Sequence, residues 1–243
     1  MKLLAIDAGN SRIKWGVYSD GWLQISTAET TSPETLHREW SFLEGIDKII
    51  AVNVAGPKIE NIITSYLEPL RCQIDWVRSS SSLGEIKNGY LDPKKLGADR
   101  LAAMVAAWDR ARKPVIVADC GTTITVDAVD GRGHFLGGVI LPGKDLMKRY
   151  LAESAHNLKI LPGKHILFPV TTGDAIFTGS IDALCGAIER MHKRLADVSI
   201  VTPALILGGG DADLISPYLQ IEHECHEFLV LNGLVSIGDN PYA

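Results

Sequence analysis

One strand–turn–strand pattern occurs twice in this chain, as LLAIDAGNSRIKWGV at residues 3–17 and as IVADCGTTITVDAV at residues 116–129. A shift of 112 positions lays Asp7 on Asp119, Gly9 on Gly121, Ser11 on Thr123, Val17 on Val129 and Gly21 on Gly133. That shift is close to half of the 243 residues, so the repeat predicts two similar domains, 1–112 and 113–243, rather than a solenoid of short repeats. Strands alternate with helical patterns in both halves, which makes the class α/β.

In the first half, strands are expected at Leu3–Ile6, Ile13–Tyr18 and Lys48–Val54, with a capped helix start at Ser32-Pro33-Glu34 and a helix over Lys58–Leu67. SSSSLGEIKNGYLDPKKL, residues 79–96, reads as a long polar connection. In the helix that follows, Leu101, Met104, Val105 and Trp108 share one apolar face, and Pro114 limits it. The second half adds glycine breaks at Gly137-Gly138 and Pro142-Gly143, and a long helix over roughly 173–196. ALILGGGDADLI follows as strand, glycine turn and helix start, and Glu227–Ser236 reads as a short closing helix.

A net charge of −5 argues against a nucleic-acid or membrane-surface role driven by bulk charge. No apolar run reaches the ~18 residues of a membrane span. The scattered cysteines, Cys72, Cys120, Cys185 and Cys225, suit reduced thiols in a cytoplasmic protein. His223, Cys225 and His226 are metal-ligand types, yet on a strand His226 faces away from the other two, and an ordinary edge strand is expected there.

A strand-end D-x-G turn with small hydroxyl residues can cradle phosphate, because glycine lets backbone N–H groups approach and Asn, Ser or Thr add donors without bulk. The strand-end Asp can hold the water shell of a phosphate-bound Mg²⁺. A single such turn is equally a tight hairpin. The pair resembles the two phosphate motifs of the acetate kinase, sugar kinase, heat-shock chaperone and actin superfamily. That resemblance implies two ribonuclease H-like (actin-like ATPase) domains with ATP held in the cleft between them, and LILGGGDADL stands where the adenosine motif falls.

Within that superfamily the chain resembles the type III pantothenate kinases. The resemblance rests on Tyr90, Pro93, Leu96, Gly97, Asp99 and Arg100 in GYLDPKKLGADR, and on Asp7-Ala8-Gly9-Asn10-Ser11. It continues through Asp119-Cys120-Gly121-Thr122, Gly137-Gly138, Pro142-Gly143, Leu161-Pro162, Thr172 and Ala175-Ile176. Two positions depart mildly: Ser11 and Gly208 stand where Thr is usual. The resemblance implies ATP-dependent phosphorylation of pantothenate to 4'-phosphopantothenate, opening coenzyme A synthesis, by a homodimer. The rivals are a related kinase acting on another small hydroxy acid or sugar, and a non-catalytic regulatory relative.

By the same resemblance, Asp99 is the base for the acceptor hydroxyl, and its place in a first helical turn favours the ionised form. As a residue alone it is equally a helix cap. Tyr90, Gly97, Ala98, Arg100 and Thr172 would hold pantothenate; Arg100 is otherwise a surface charge and Thr172 an N-cap. ATP falls to Asp7, Ala8, Gly9, Asn10, Ser11, Arg12, Ile13 and Lys14, and to Gly121, Thr122, Thr123, Gly209 and Gly210. Asp7 would hold Mg²⁺ through water, and Asp119 a monovalent cation, K⁺ or NH₄⁺. Gly179, Ala183, Gly186 and Ala187 would let the long helix pack closely, in the dimer or inside the protomer.

Overall fold

The computed structural model describes residues 1–80, 82–154 and 162–239, which fall into two compact units. The first unit comprises Met1–Arg110 and the chain from Phe228 onward. Its sheet contains β1 (Leu3–Ala8), β2 (Arg12–Tyr18), β3 (Trp22–Glu29), β4 (Lys48–Asn53) and β5 (Ile74–Trp76), in the order β3-β2-β1-β4-β5. The first three strands form an antiparallel meander, while β4 and β5 run parallel to β1.

Every residue of β1 is buried, as a central strand covered on both faces requires. Leu4 and Ile6 meet α1 (Glu34–Trp40) and α2 (Pro57–Leu67) through Leu36, Trp40, Ile59 and Ile63. The opposite face, carrying Leu3, Ala5 and Asp7, is covered by the closing helix Leu229–Asp239, whose Gly238 lies directly on Leu3. In chain order that helix is α7. It packs on the first sheet, so the expected 113–243 domain loses its last helix to the first unit. An apolar helix identifies itself as buried, but not against which sheet. The expected cap at Ser32 is also absent: α1 begins after Pro33 with no side-chain cap.

Between β5 and the second unit lie a small hairpin, β6 (Ser82–Leu83) with β7 (Ile86–Lys87), a 3₁₀ turn at Pro93–Lys95, and α3 (Ala98–Ala111). The stretch expected as plain connection is therefore structured. A methyl at Gly233 would collide with the Ala102 backbone, so that glycine lets α7 lie directly on α3.

The second unit, Ala111–Glu227, repeats the sheet. Its strands are β8 (Val115–Cys120), β9 (Thr123–Val129), β10 (Phe135–Pro142), β11 (Ala204–Gly208) and β12 (Glu224–Cys225), in the order β10-β9-β8-β11-β12. The helices are α4 (Lys144–Ser154), α5 (Thr172–Val198) and α6 (Ala212–Ile215). Ile116, Ala118 and Cys120 pack against Ile181, Leu184 and Ile188 of α5, as Leu4, Ile6 and Ala8 pack in the first unit.

The repeat slips by one residue at its turn. Ala8 pairs with Ile13, whereas Cys120 pairs with Ile124, so the second turn is one residue shorter. The structural counterpart of Thr123 is Arg12, not Ser11, and the counterpart of Ile124 is Ile13. Burial runs in step on that alignment: Arg12 and Thr123 are exposed, and Ile13, Trp15, Ile124 and Val126 are buried. Keeping the 112 shift would send each apolar residue to the wrong face, because side chains alternate along a strand.

Candidate active site

In the first unit the turn between β1 and β2 is drawn tight by Gly9 N–H donating to Arg12 O at 3.0 Å. Asp7 is nearly buried at the strand end and sits opposite Lys14 in the antiparallel register, which puts both on the α7 face. Asn10 and Arg12 are exposed and Ser11 is half-buried, so the turn presents its polar atoms outward; Ala8 and Ile13 belong to the core behind it. Thr30 braces it from below: its Oγ1 donates to Gly9 O at 2.8 Å, and its N–H to Ser11 O at 3.1 Å. The sequence offers no signal for Thr30, which lies far from the turn along the chain and meets it only once the β2–β3 register is known.

The second unit brings three glycine-bearing turns together. Gly143 N–H donates to Thr122 O at 2.9 Å, and a methyl on Gly143 would strike the Gly121 and Thr122 carbonyls. Gly209, with φ of +84°, lies against Cys120 O and Asp119 Oδ1, where no side chain would fit. Asp211 N–H donates to Cys120 O at 2.9 Å and completes the junction. Thus Gly121, Thr122, Asp119 and Gly209 are neighbours, while Thr123 and Gly210 stand exposed beside them. Burial, followed by the charges of Asp119 and Asp211, pushes the Cys120 thiol up, so it stays protonated. Lys144, at the start of α4, lies 2.9 Å from Asp145 and 3.8 Å from Asp211. Lys144 and Gly143 belong to this junction, although only the Pro142-Gly143 break signals it in sequence.

Tyr90, Gly97, Ala98, Asp99 and Arg100, expected to serve the acceptor, lie at or near the start of α3. Arg100 is buried, and its Nη1 donates to Tyr90 Oη at 3.2 Å, with the guanidinium carbon 5.8 Å from the ring centroid. Asp99 is half-buried and its Oδ1 accepts from Arg100 N–H at 2.8 Å. Burial raises the Asp99 carboxyl above the usual Asp range, against the lowering effect of the Arg100 N–H and charge. The carboxylate folds back over Gly97, where a methyl would collide with Oδ1. Ala98 is the first residue of α3 and buried. Asp99 lies in the first turn of α3, where its carboxylate accepts a first-turn N–H and is held partly out of solvent.

Thr172 is not the N-cap of α5. Thr171 is, with extended backbone angles and its Oγ1 accepting from Asp174 N–H at 3.2 Å; Thr171 Oγ1 in turn donates to the Asp174 carboxylate at 2.8 Å. Thr172 is the first helical residue, exposed, and lines a groove of about 980 Å³ with Leu146, Tyr150 and Val170. Leu161 of the Leu161-Pro162 pair lies outside the described residues.

His223, expected on an edge strand, precedes β12; its Nε2 is 2.7 Å from Ser216 Oγ and its Nδ1 2.6 Å from Ile221 O. Among the described residues no group of three or more His, Cys, Asp or Glu is disposed to hold a metal. All four cysteines are free, and no described helix is long and apolar enough to cross a membrane.

Comparison with known proteins places these features in one family. Residues 3–194 match the family described as type III pantothenate kinase. A protein of that name from Nitrosospira multiformis is 38% identical over 238 residues, covering 97% of this chain and 90% of the relative. Among solved structures, one from Campylobacter jejuni, named for the Baf family of transcriptional activators, superposes with a TM-score of 0.64 at 22% identity. It covers 99% of this chain and all of its own. MreB 5 of Spiroplasma citri bound to AMPPNP superposes with a TM-score of 0.51 at 9% identity, over 98% of this chain and 94% of its own. The two solved structures establish the actin-like fold, and the sequence matches establish more: the chain belongs to the type III pantothenate kinase family.

Proposed function

We propose that the protein transfers the γ-phosphoryl group of ATP to the primary hydroxyl of pantothenate, giving ADP and 4'-phosphopantothenate, the first step of coenzyme A biosynthesis. The observation that carries this reading, beyond family membership, is the juxtaposition of Asp99, Arg100 and Tyr90 at the start of α3. A half-buried carboxylate with a raised pKa is suited to take the hydroxyl proton as the acceptor oxygen bonds to the γ-phosphorus and the bond to ADP breaks. Arg100 and Tyr90 bind and orient the acceptor, with Gly97 and Ala98 of the same segment; by the family resemblance Thr172 is assigned to the same substrate. Sequestration of these groups supplies orientation, which is most of what phosphoryl transfer asks of a protein.

The phosphates of ATP are assigned to the two turns, residues 7–14 and 121–123, and the adenosine to Gly209 and Gly210. Asp7 suits a water-mediated Mg²⁺, which would neutralise phosphate charge; a hydrated hard cation asks for only one or two carboxylates. Asp119, by the family resemblance, is assigned to a monovalent cation, for which its carboxylate would supply an oxygen ligand.

Self-association is the remaining part of the reading. Leu167, Phe168 and Val170 are each at least 80% exposed, and they adjoin the apolar groove along α4 and α5. Apolar surface gathered this way marks an interface. Ala175, Gly179, Ala183 and Gly186 form an exposed ladder of small residues down α5, which would admit the same helix of a second copy at close range.

ADP release from purified protein given ATP, Mg²⁺ and pantothenate, with Na⁺ or K⁺ as the only monovalent salt, tests the reaction. Pantothenate-dependent turnover that requires K⁺ is expected. Absence of turnover under either salt, with ATP still binding, would overturn the assignment of substrate.

A further inference from the structure

The described residues between Ser79 and Leu96 form a closed loop rather than a slack one. Ser79 Oγ donates to Leu96 O at 2.5 Å and shuts its base. The β6–β7 hairpin buries Leu83 and Ile86, and Trp108 Nε1 of α3 donates to Glu85 at 3.3 Å. Between the hairpin and the 3₁₀ turn no strand or helix holds the backbone, and here the half-buried side chain of Asn88 spans it. Its Nδ2 donates to Ser80 O and to Pro93 O, both at 3.0 Å, and its Oδ1 accepts from Tyr90 N–H at 3.0 Å. The three bonds orient the amide uniquely, because a flipped group would set its oxygen against two carbonyls.

We infer that Asn88 is a positioning residue of the acceptor site: its amide ties Ser80, Tyr90 and Pro93 together and thereby fixes Tyr90 against Arg100. This rests on the reading of Tyr90 and Arg100 as acceptor-side groups. The position needs two donors and one acceptor on a short stem, and Asn alone among the side chains supplies them. Asp keeps the acceptor for Tyr90 N–H but loses both donors and sets a charged oxygen beside two carbonyls. Because Tyr90 Oη accepts from Arg100 Nη1, loosening the turn also disturbs one hydrogen bond of the guanidinium assigned to the acceptor. The three hydrogen bonds of the Asn88 amide go to Ser80, Pro93 and Tyr90, none of them assigned to ATP, so ATP binding is expected to hold.

Hydrogen exchange of Asn88→Ala should show lost protection over residues 86–96 with α3 protection retained. The KM for pantothenate should rise about tenfold, the loss of roughly one net hydrogen bond's worth of ordering, while the KM for ATP holds. Asn88→Asp should be no milder. Combined with Tyr90→Ala, either substitution should add nothing to the pantothenate KM, since both act through one ring. Retained exchange protection, wild-type behaviour of Asn88→Asp, or penalties that add in the double variant would each overturn the inference. The exchange measurement needs no turnover, so a wild type inactive on pantothenate would defeat the kinase reading alone.

Discussion

Replacing Gly179 and Gly186 by alanine should strengthen the isolated protomer while weakening its self-association. Both glycines lie mid-helix on the exposed side of α5, and a methyl built at either meets no heavy atom within 4 Å among the described residues. Glycine in a helix interior costs about 0.5–1 kcal/mol relative to alanine, so the pair together forgoes roughly 1–2 kcal/mol. For a chain of this size each kcal/mol moves Tm by about 2–4 °C, which makes the expected gain roughly 2–8 °C. Among the described residues, no packing explains that sacrifice. The proposed self-association would explain it, because two added methyls would hold two close-packed helices apart and overpacking costs about 1–3 kcal/mol. Thermal melts across a range of protein concentrations, read beside sedimentation equilibrium, separate the two effects. Dilute Gly179→Ala/Gly186→Ala protein should melt higher, and its dimer dissociation constant should rise about tenfold or more, each 1.4 kcal/mol being a factor of ten. A higher Tm with unchanged association would show that no helix packs closely on this face. A lower Tm in dilute solution would refute the helix-propensity reasoning itself.

Asp99→Asn should cut kcat by about 10²–10⁴-fold and yet raise Tm at neutral pH, because a carboxyl whose folded pKa is raised is strained when ionised. The sign follows from linkage. Between the unfolded and the raised folded pKa the native state binds more protons, so Asp99's contribution falls as pH rises through that window and stays low above it. Wild-type activity should fall on the acid side as Asp99 gains its proton, and stopped turnover with Tm lowered by Asp99→Asn would sink the argument. Gly97→Ala should push the Asp99 carboxylate off its seat and lower kcat by about 10²-fold, the usual penalty of a misplaced reacting group, leaving the KM for ATP unchanged; full activity in steady-state assays would count against the seat.

The repeated sheets were legible because β1, β2, β8 and β9 pair strong apolar patterns with an abrupt polar turn, and α3 and α5 because their apolar faces recur at helical spacing. Helix α4 was not legible. None of its residues is buried, so no apolar stripe announces it. Thr171 and Thr172 could not be ranked as caps from composition, since the decision lies in the extended backbone of Thr171. Thr30 and Asn88 are ordinary polar residues in polar surroundings. What distinguishes them is the carbonyls they reach, and those are brought near only by the strand register and by the closure of a loop.

The duplication explains the sheets but not the chemistry, and the difference lies in what each copy adds beyond its strands. The first unit inserts the clasped loop and α3, which carry Tyr90, Asp99 and Arg100, and keeps a longer turn braced by Thr30. The second shortens its turn by one residue and stacks Gly143 and Gly209 directly on it, leaving carboxylate and carbonyl oxygens converging beside Asp119. A pair of identical hairpins would offer the same donors twice. One residue removed from one hairpin leaves the strands' buried faces intact, since β9 resumes its alternation at Ile124 as β2 does at Ile13. The turn is therefore the place where the copies could diverge without cost to either core. On the proposed reading, the first copy gains the residues assigned to the acceptor, and the second gains those assigned to the cation and the adenosine.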